Sequence, residues 1–84
     1  MILHILVLVM PAAYVLVTVE IGKVQQVNEL LREIKELKEI YSLYGVYDII
    51  AKVEADDMET LKDLVGSKIR QIDGIRATTT MILM

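Results

Sequence analysis

The chain has 84 residues, 55% of them hydrophobic, and a net charge of −3, with no cysteine, tryptophan or phenylalanine. A single domain of this size buries only about 60 to 65% of the surface of its unfolded chain, so we expect it to need a partner subunit. The absence of cysteine excludes disulfides, thiolate chemistry and cysteine-based metal or redox sites. Basic residues are interleaved with acidic ones, and the acidic balance is unlike that of a nucleic-acid-binding surface.

An apolar N-terminal extension, residues 1–11, precedes the first predicted element. It is shorter than the roughly 20 residues that a membrane-spanning helix needs. His4 and Pro11 interrupt it, and no basic cluster precedes it as in a signal peptide. We therefore expect an additional strand or an interface arm over residues 2–9, or an over-extended start whose natural first residue is Met10. The predicted location is cytoplasmic, without a membrane partner.

The remaining residues, 12–84, carry the patterns of strands and helices in a single domain. Apolar residues alternate over the first strand, and apolar residues at helical spacing follow Gly22. In chain order the predicted elements are a strand at 12–20, a helix at 23–37, strands at 39–45 and 47–55, a helix at 57–72 and a strand at 75–83. This βαββαβ order predicts a ferredoxin-like α+β sandwich, a four-stranded antiparallel sheet with both helices on one face.

The face of the predicted sheet away from the helices is also apolar. Tyr14, Leu16 and Ile50 alternate with the residues that are expected to face the helices. A surface of this composition is too apolar to leave in water. We therefore expect dimerisation through the sheets, in a dimeric α/β barrel-type assembly.

The second predicted helix has signals at its start, centre and end. Asp56 and Asp57 supply an N-cap, and Glu59 follows Asp56 by three residues as in a capping box. Gly66 inside the helix costs about 1 kcal/mol relative to alanine, and a close approach of another backbone is one reason for such a glycine. Gly74 is expected to end the helix in the left-handed conformation.

A short repeat links the two halves of the chain. Residues 34–40, IKELKEI, recur 35 residues later as IRQIDGI at 69–75, with isoleucine or leucine at the same three positions and a basic residue at the second. In both copies the end of a helical pattern is followed by a strand-like run. The repeat predicts two copies of one helix-to-strand unit, as in a split βαβ fold. Similarity ends after the shared motif, where residues 43–45 align with residues 78–80.

Few residues suit catalysis or metal binding. His4 is the only imidazole, lies in the apolar extension and has no nearby serine or aspartate, so we expect it to be a packing residue. Asp56, Asp57 and Glu59 are explained by helix capping and lack the spacing of a calcium loop. We predict no cofactor, no metal and no enzymatic activity.

Two segments carry polar groups that suit a free amino acid. The first is the turn formed by Gly45, Val46, Tyr47 and Asp48. Its bend exposes backbone N–H groups, and its carboxylate can accept from an ammonium, although a hairpin turn with a locally bonded aspartate explains the same residues. The second is formed by Thr78, Thr79 and Thr80. These threonines are good strand formers, and they also place hydroxyls on both faces of a strand.

The order of these motifs resembles that of the regulatory domain of the Lrp/AsnC family of prokaryotic transcription regulators. The resemblance covers residues 12–84 and is carried by AYVLV at 13–17, GK at 22–23, YGVYDIIAKV at 44–53, DDMETL at 56–61 and GIRATTT at 74–80.

The resemblance implies a domain that binds a small effector such as an amino acid, dimerises through its sheets and assembles into rings such as an octamer. It implies that the effector's charged ends are held by the turn at 45–48 and by residues 78–80 of a neighbouring dimer. Asp48 would meet the ammonium, backbone N–H groups of the turn the carboxylate, and the threonine hydroxyls would complete the polar shell.

The family's helix-turn-helix normally precedes this domain, and eleven residues precede Ala12 here. We therefore expect a stand-alone form that does not bind nucleic acid directly and modulates transcription by co-assembly with full-length family regulators.

Three alternatives fit the same topology. An ACT-like module also binds amino acids, near the first strand-to-helix loop, where Gly22 is compatible. A small dimeric α+β-barrel oxygenase needs a polar, often histidine-bearing cleft, for which the only histidine is poorly located. A purely structural oligomerisation domain would bind no effector.

Overall fold

The computed structural model describes residues 10–84. Its strands are β1 (Ala12–Val19), β2 (Leu37–Ser42), β3 (Ile49–Glu54) and β4 (Ile75–Ile82), and its helices are α1 (Val24–Arg32) and α2 (Met58–Asp63), the latter continued by a π-helical segment, Leu64–Ile69. The predicted strand or arm at 2–9 and the packing role of His4 lie outside the described residues. Residues 10–84 contain no helix with the length and apolar composition of a membrane span.

The four strands form one antiparallel sheet in the order β2-β3-β1-β4. β1 is central: Ala12 lies opposite Glu54 and Val17 opposite Ile49 on β3, and Val17 lies opposite Thr78 on β4. With two helices and this order, the predicted ferredoxin-like α+β fold is confirmed. The sheet is open, with β2 and β4 as its edges, so a barrel-type assembly would require a second copy and stays a prediction.

The core lies between the helices and one face of the sheet. Val15 and Val17 of β1 have no exposed surface, as strand alternation predicts. β3 alternates in the same way, and both helices add large aliphatic side chains. The fully buried side chains of largest volume are Leu31, Ile49, Leu61, Ile69, Val15, Val17, Val27 and Val53.

The first helix is shorter than its apolar pattern predicts. α1 ends at Arg32 instead of residue 37. The Ile34 N–H donates to the Leu31 carbonyl (3.1 Å), a tight bond that closes the last turn. Leu37 then enters β2 opposite Val53. The prediction was wrong because Leu37 follows the apolar spacing of the helix although it is buried as part of a strand. The spacing alone does not distinguish the two.

The connection between β2 and β3 is a loop over residues 43–48, where the pattern predicted strand. β2 ends at Ser42 and β3 begins at Ile49. The loop is closed by the Leu43 N–H, which donates to the Asp48 carbonyl (2.8 Å). The predicted hairpin is therefore present, and its strands are shorter than expected.

The second helix begins at a capping aspartate, as predicted. Asp57 is the N-cap, and its Oδ1 accepts from the Thr60 N–H (2.7 Å). The residue three positions after the cap is therefore Thr60, so the expected pairing of Asp56 with Glu59 as a capping box was wrong. From Leu64 the helix continues in π-helical form.

The glycines of the second half differ in their surroundings. A Cβ at Gly66 would meet nothing within 4 Å, so the suggested close backbone approach was wrong. Gly74 has the expected positive φ (+102°), but the prediction that it ends the helix was wrong: the π-helical segment stops at Ile69 instead of residue 72, and Gly74 lies in the turn before β4. A Cβ there would lie 2.9 Å from Cγ2 of Val27, so both the conformation and the space require glycine.

The second face of the sheet has no cover within the described residues. Tyr14 and Leu16 of β1 and Ile50 of β3 are half-buried on this face, and Tyr41 and Met81 are exposed. Tyr14 lies opposite Met81, and Leu16 lies opposite Ile50. The apolar residues expected for this face are therefore present, together with an ion pair between Lys52 and Glu54 (3.6 Å) opposite Tyr14 and Ala12.

Candidate functional site

Both the backbone and the side chain of Asp48 are hydrogen-bonded to the end of β1. Its N–H donates to the Val17 carbonyl (2.9 Å), and its Oδ2 accepts from the Val19 N–H (2.7 Å). The pairing of β1 with β3 ends at Val17 and Ile49, and beyond it the Asp48 carboxylate takes the place of a backbone carbonyl as the acceptor for the Val19 N–H. Among the described residues, no group donates to Oδ1 of Asp48. Oδ2 is therefore held by the backbone of β1, whereas Oδ1 has no donor within residues 10–84.

The rest of the predicted turn projects from the end of the sheet. Val46 is 86% exposed, and the adjoining Tyr44 is fully exposed. Gly45 is also exposed, whereas Tyr47 is half-buried beside Asp48. The N–H groups of residues 45–47 donate to no backbone carbonyl within residues 10–84, whereas the Asp48 N–H donates to Val17 of β1.

The three threonines of β4 do not share a face. Thr78 lies opposite Val17 and Thr80 opposite Val15, so both point toward the helices, whereas Thr79 lies opposite Leu16 on the uncovered face. Thr80 Oγ1 is buried and has no hydrogen-bond partner among the described residues. Of the three hydroxyls, two belong to the helix side of the sheet.

β1 separates the two predicted segments within one chain. Asp48 bonds to Val17 from the β3 side, and Thr78 lies opposite Val17 on the β4 side. Two strand spacings, about 9.5 Å, therefore separate their backbones. The fold brings both segments to the same end of β1, on opposite sides of it.

Arg70 contacts the threonine segment, although it was not identified from the sequence as a candidate site residue. Its Nε–H donates to Thr78 Oγ1 (3.0 Å). The signal that could have found it is the repeat, in which Arg70 occupies the basic second position of the second copy. Only the return of the chain into β4 brings that position beside Thr78.

The turn between β1 and α1 is fastened to the turn before β4. The Glu20 N–H donates to the Gly74 carbonyl (2.8 Å), and Lys23 Nζ lies 3.2 Å from Asp73 Oδ2 and 3.8 Å from Glu20 Oε1. The hydrogen bond and charge of Asp73, with a smaller contribution from Glu20, raise the pKa of Lys23. Gly22, with φ +84°, lies in this turn.

The acidic residues at the start of α2 have a structural role. Hydrogen bonds from Thr60, with a weaker one from Glu59, lower the pKa of Asp57. Among residues 10–84, no three histidine, cysteine, aspartate or glutamate side chains are grouped as metal ligands would be.

A family model described as the Lrp/AsnC ligand binding domain matches residues 12–84. The chain belongs to the Lrp/AsnC ligand-binding domain family. Members of this family are the effector-binding domains of transcription regulators, so the domain is a regulatory ligand-binding domain. A comparison with curated proteins finds no match.

Solved structures share the fold over most of the chain. FFRP-DM1 is 40% identical with a TM-score of 0.86, and the match covers 89% of this chain and 100% of that one. Hypothetical protein PHS023 from Pyrococcus horikoshii is 40% identical with a TM-score of 0.84, over 89% and 90% of the two chains. TTHA0845 from Thermus thermophilus is 33% identical with a TM-score of 0.84, over 89% and 94%.

Two regulators show the fold alone, because their identity to this chain is low. AsnC from E. coli is 24% identical with a TM-score of 0.83, over 88% of this chain and 50% of AsnC. NMB0573 from Neisseria meningitidis, solved as a complex with L-Met, is 16% identical with a TM-score of 0.77, over 88% of this chain and 49% of that one.

Proposed function

We propose that this domain senses a free amino acid or a closely related small effector, bound at a site shared between two dimers. The observation that carries the proposal is the carboxylate of Asp48 at the end of β1, in which Oδ2 is bonded to the Val19 N–H and Oδ1 has no donor within residues 10–84. The chain also belongs to a ligand-binding family. Asp48 meets the effector's ammonium, and the exposed backbone N–H groups of Gly45 to Tyr47 meet its carboxylate. Of the threonine segment 78–80, Thr78 completes the polar shell, because Thr79 lies on the other face of β4 and the Thr80 hydroxyl is buried.

The geometry of Asp48 suits an ammonium. Its Oδ2 is held by the Val19 N–H at 2.7 Å, which fixes the orientation of the carboxylate before a ligand arrives. A fixed carboxylate with one free oxygen offers a charge-assisted hydrogen bond without further loss of side-chain entropy. The exposed turn supplies N–H donors a few residues away.

A second chain explains how both segments serve one ligand. In one chain, β1 and the buried side chain of Val17 lie between Asp48 and Thr78. A single small amino acid therefore meets the turn of one chain and the threonine segment of another. Binding at such a shared site is linked to association, because the ligand stabilises only the assembled form.

The uncovered sheet face supports the dimer in this proposal. Leu16 and Ile50 lie opposite each other there, with Tyr41 exposed nearby. A second copy of the same face would bury them in a two-fold arrangement. Rings of such dimers would bring a turn and a threonine segment together. Co-assembly with full-length family regulators then gives the domain its effect on transcription without nucleic-acid binding of its own.

Calorimetry against the twenty amino acids tests the sensing role. An amino acid should bind the wild-type protein, and Asp48→Asn should weaken it by about ten- to a hundredfold, since a hydrogen bond to a charged group contributes about 1.5 to 3 kcal/mol. The amide oxygen of asparagine still accepts from the Val19 N–H, so the fold should be retained. Asp56→Asn is the matched control, because it removes the same charge at the opposite, exposed end of β3.

Two results would refute the proposal. One is the absence of binding to all twenty amino acids, methionine included. The other is equal weakening by Asp48→Asn and Asp56→Asn, which would point to net charge and not to the site. Native mass spectrometry with and without the amino acid should show a change in the distribution of assemblies.

Leu16→Glu tests the dimer. It introduces a charge on the uncovered face and should yield monomers by light scattering while circular dichroism retains the α+β signature. Lys62→Glu on the exposed side of α2 is the control and should leave the oligomeric state unchanged. An unchanged mass for Leu16→Glu would contradict sheet-to-sheet association.

A further inference from the structure

An open depression of about 340 Å³ lies between the end of the π-helical segment and the start of β4. It is lined by Arg70, Ile75, Arg76, Ala77 and Thr78. Ile75 is opposite Val19, whose N–H is bonded to Asp48. The depression therefore lies at the same end of β1 as Asp48, on the other side of the strand.

The hydrogen bond between Arg70 and Thr78 leaves donors directed to a ligand. Arg70 uses Nε–H toward Thr78 Oγ1 (3.0 Å), which leaves the four N–H bonds of its two terminal nitrogens. Thr78 Oγ1 accepts from Arg70, so its own O–H remains to donate. The pair thus presents mainly donors, four N–H bonds and one O–H, and the hydrogen bond to Thr78 already fixes the orientation of the planar guanidinium.

Neither arginine of the depression has a carboxylate partner among the described residues. The ion pairs within residues 10–84 are Lys23 with Glu20, Lys23 with Asp73, and Lys52 with Glu54. The chain has 12 acidic and 9 basic residues, so acidic partners are abundant. Two guanidinium groups that have no carboxylate partner therefore lie beside one depression. They make it a local positive site on an acidic domain.

We propose that this depression is a carboxylate-binding site. Arg70 positions the Thr78 hydroxyl, and Arg70 and Arg76 supply the charge. Guanidinium groups bind carboxylates and phosphates through two parallel hydrogen bonds, and the effector proposed above carries a carboxylate.

The inference rests on the proposed function and sharpens it. A carboxylate has two oxygens with about four acceptor positions. It can accept from the turn N–H groups of one chain and from Arg70 and Thr78 of a neighbouring dimer. The acidic end of the effector then joins the two dimers, while Asp48 holds the ammonium within one of them.

Acetate tests the depression without knowledge of the effector. In the full chain labelled with ¹⁵N, sodium acetate should shift the Nε–H signals of Arg70 and Arg76 in a saturable way when it replaces sodium chloride at constant ionic strength. Acetamide, which lacks the charge, should not. Arg32 is the internal control, because its Nε–H also donates to a side-chain oxygen, Oδ1 of Asn28, at 2.7 Å.

Variants separate binding from packing. Arg70→Gln should weaken acetate by about tenfold or more and abolish the shift at Arg76, and Thr78→Val should weaken it less, while Arg32→Gln leaves it unchanged. Arg70→Lys retains charge without the fork and should restore binding only in part. A merely structural Arg70 would alter stability and leave the acetate response intact.

Two outcomes overturn the inference: an absence of saturable shifts, and equal effects of Arg70→Gln and Arg32→Gln on the acetate response. Failure of the proposed function is distinguishable. If no amino acid binds in calorimetry, sensing is refuted while a positive acetate result stands. The second comparison uses an amino acid such as L-methionine and its amide, which lacks the carboxylate. If wild type and Arg70→Gln both bind the amino acid and prefer it over the amide by the same factor, sensing stands and the carboxylate site is refuted.

Discussion

The two helix-to-strand connections of this chain begin alike and end differently. In the first, the Leu37 N–H donates to the Ile34 carbonyl (3.1 Å), and in the second the Ile72 N–H donates to the Ile69 carbonyl (3.1 Å), at equivalent positions of the repeat. The first then enters β2 at once. The second makes a further turn through Gly74 before β4 begins. The repeated motif therefore determines a local turn, and the packing around it determines where the strand begins.

The helices before these connections are also stabilised differently. α1 has no side-chain cap at its N-terminus, where Lys23 instead joins Glu20 and Asp73. α2 is capped by Asp57 and loses its regular α-helical form from Leu64. Thr78 lies where the two units differ, and Arg70, at a basic position that both units share, donates to it.

Core truncation tests whether the two helices contribute equally. Leu31→Ala and Ile69→Ala each remove a fully buried side chain, and each should lower the free energy of unfolding by about 2 to 5 kcal/mol. Urea unfolding measures it, and Leu30→Ala at a more exposed position of α1 is the control. A cost at Ile69 well below that at Leu31 would mean that the π-helical segment repacks around the cavity.

Two glycines of the second unit should respond in opposite directions. Gly74→Ala introduces a methyl group 2.9 Å from Val27 Cγ2 at φ +102°, and it should destabilise the fold by about 1 to 3 kcal/mol. Gly66→Ala meets open space and should stabilise it by about 0.4 to 1 kcal/mol through helix propensity and reduced unfolded-state entropy. Thermal unfolding of both variants decides; destabilisation by Gly66→Ala would mean that the π-helical geometry needs glycine.

The cap of α2 should give an acid-dependent contribution. The pKa of Asp57 is lowered in the folded state, so its stabilisation is present above the unfolded pKa, near 3.8, and is lost as pH falls through the folded value. Asp57→Ala should lower the melting temperature at neutral pH and lose that difference in acid. A difference that is constant with pH would exclude the charged cap as its cause.

The entry to α1 should show the reverse dependence, with a smaller effect. The pKa of Lys23 is raised, so its stabilisation is full below the unfolded value of 10.5 and is lost as pH rises through the folded value. Lys23 is at the surface, so salt should weaken the effect. Lys23→Met should reduce the melting temperature slightly at neutral pH and converge with wild type in strong alkali; a constant gap would assign the loss to packing of the side-chain stem.

Much of the fold was predictable from local patterns. Alternation along β1, the capping aspartate and Gly74 each act within a few residues, and the element order followed from them. The end of α1 was not predictable, because Leu37 satisfies both a helical stripe and a strand. The capping box was misassigned by one residue, since Asp56 and Asp57 are equivalent in composition and differ only in backbone conformation.

The candidate site divides in the same way. Asp48 and the threonines stood out by residue type and by family resemblance, but the bond of Asp48 to the Val19 N–H and the different faces of Thr78 and Thr79 depend on strand register. Arg70 could be noticed as a basic position in a repeat, yet nothing local connects it to Thr78.

By itself, the sequence determined the βαββαβ order, the apolar stripes of both helices and the two-sided apolar sheet, because these depend on periodicity along the chain. The tertiary structure alone decided which end of β1 collects Asp48, Arg70 and Thr78, because antiparallel register joins residues far apart in sequence. Periodicity along the chain determines which face of the sheet a side chain occupies, whereas strand register determines which side chains lie next to it. A binding site depends on the second of these.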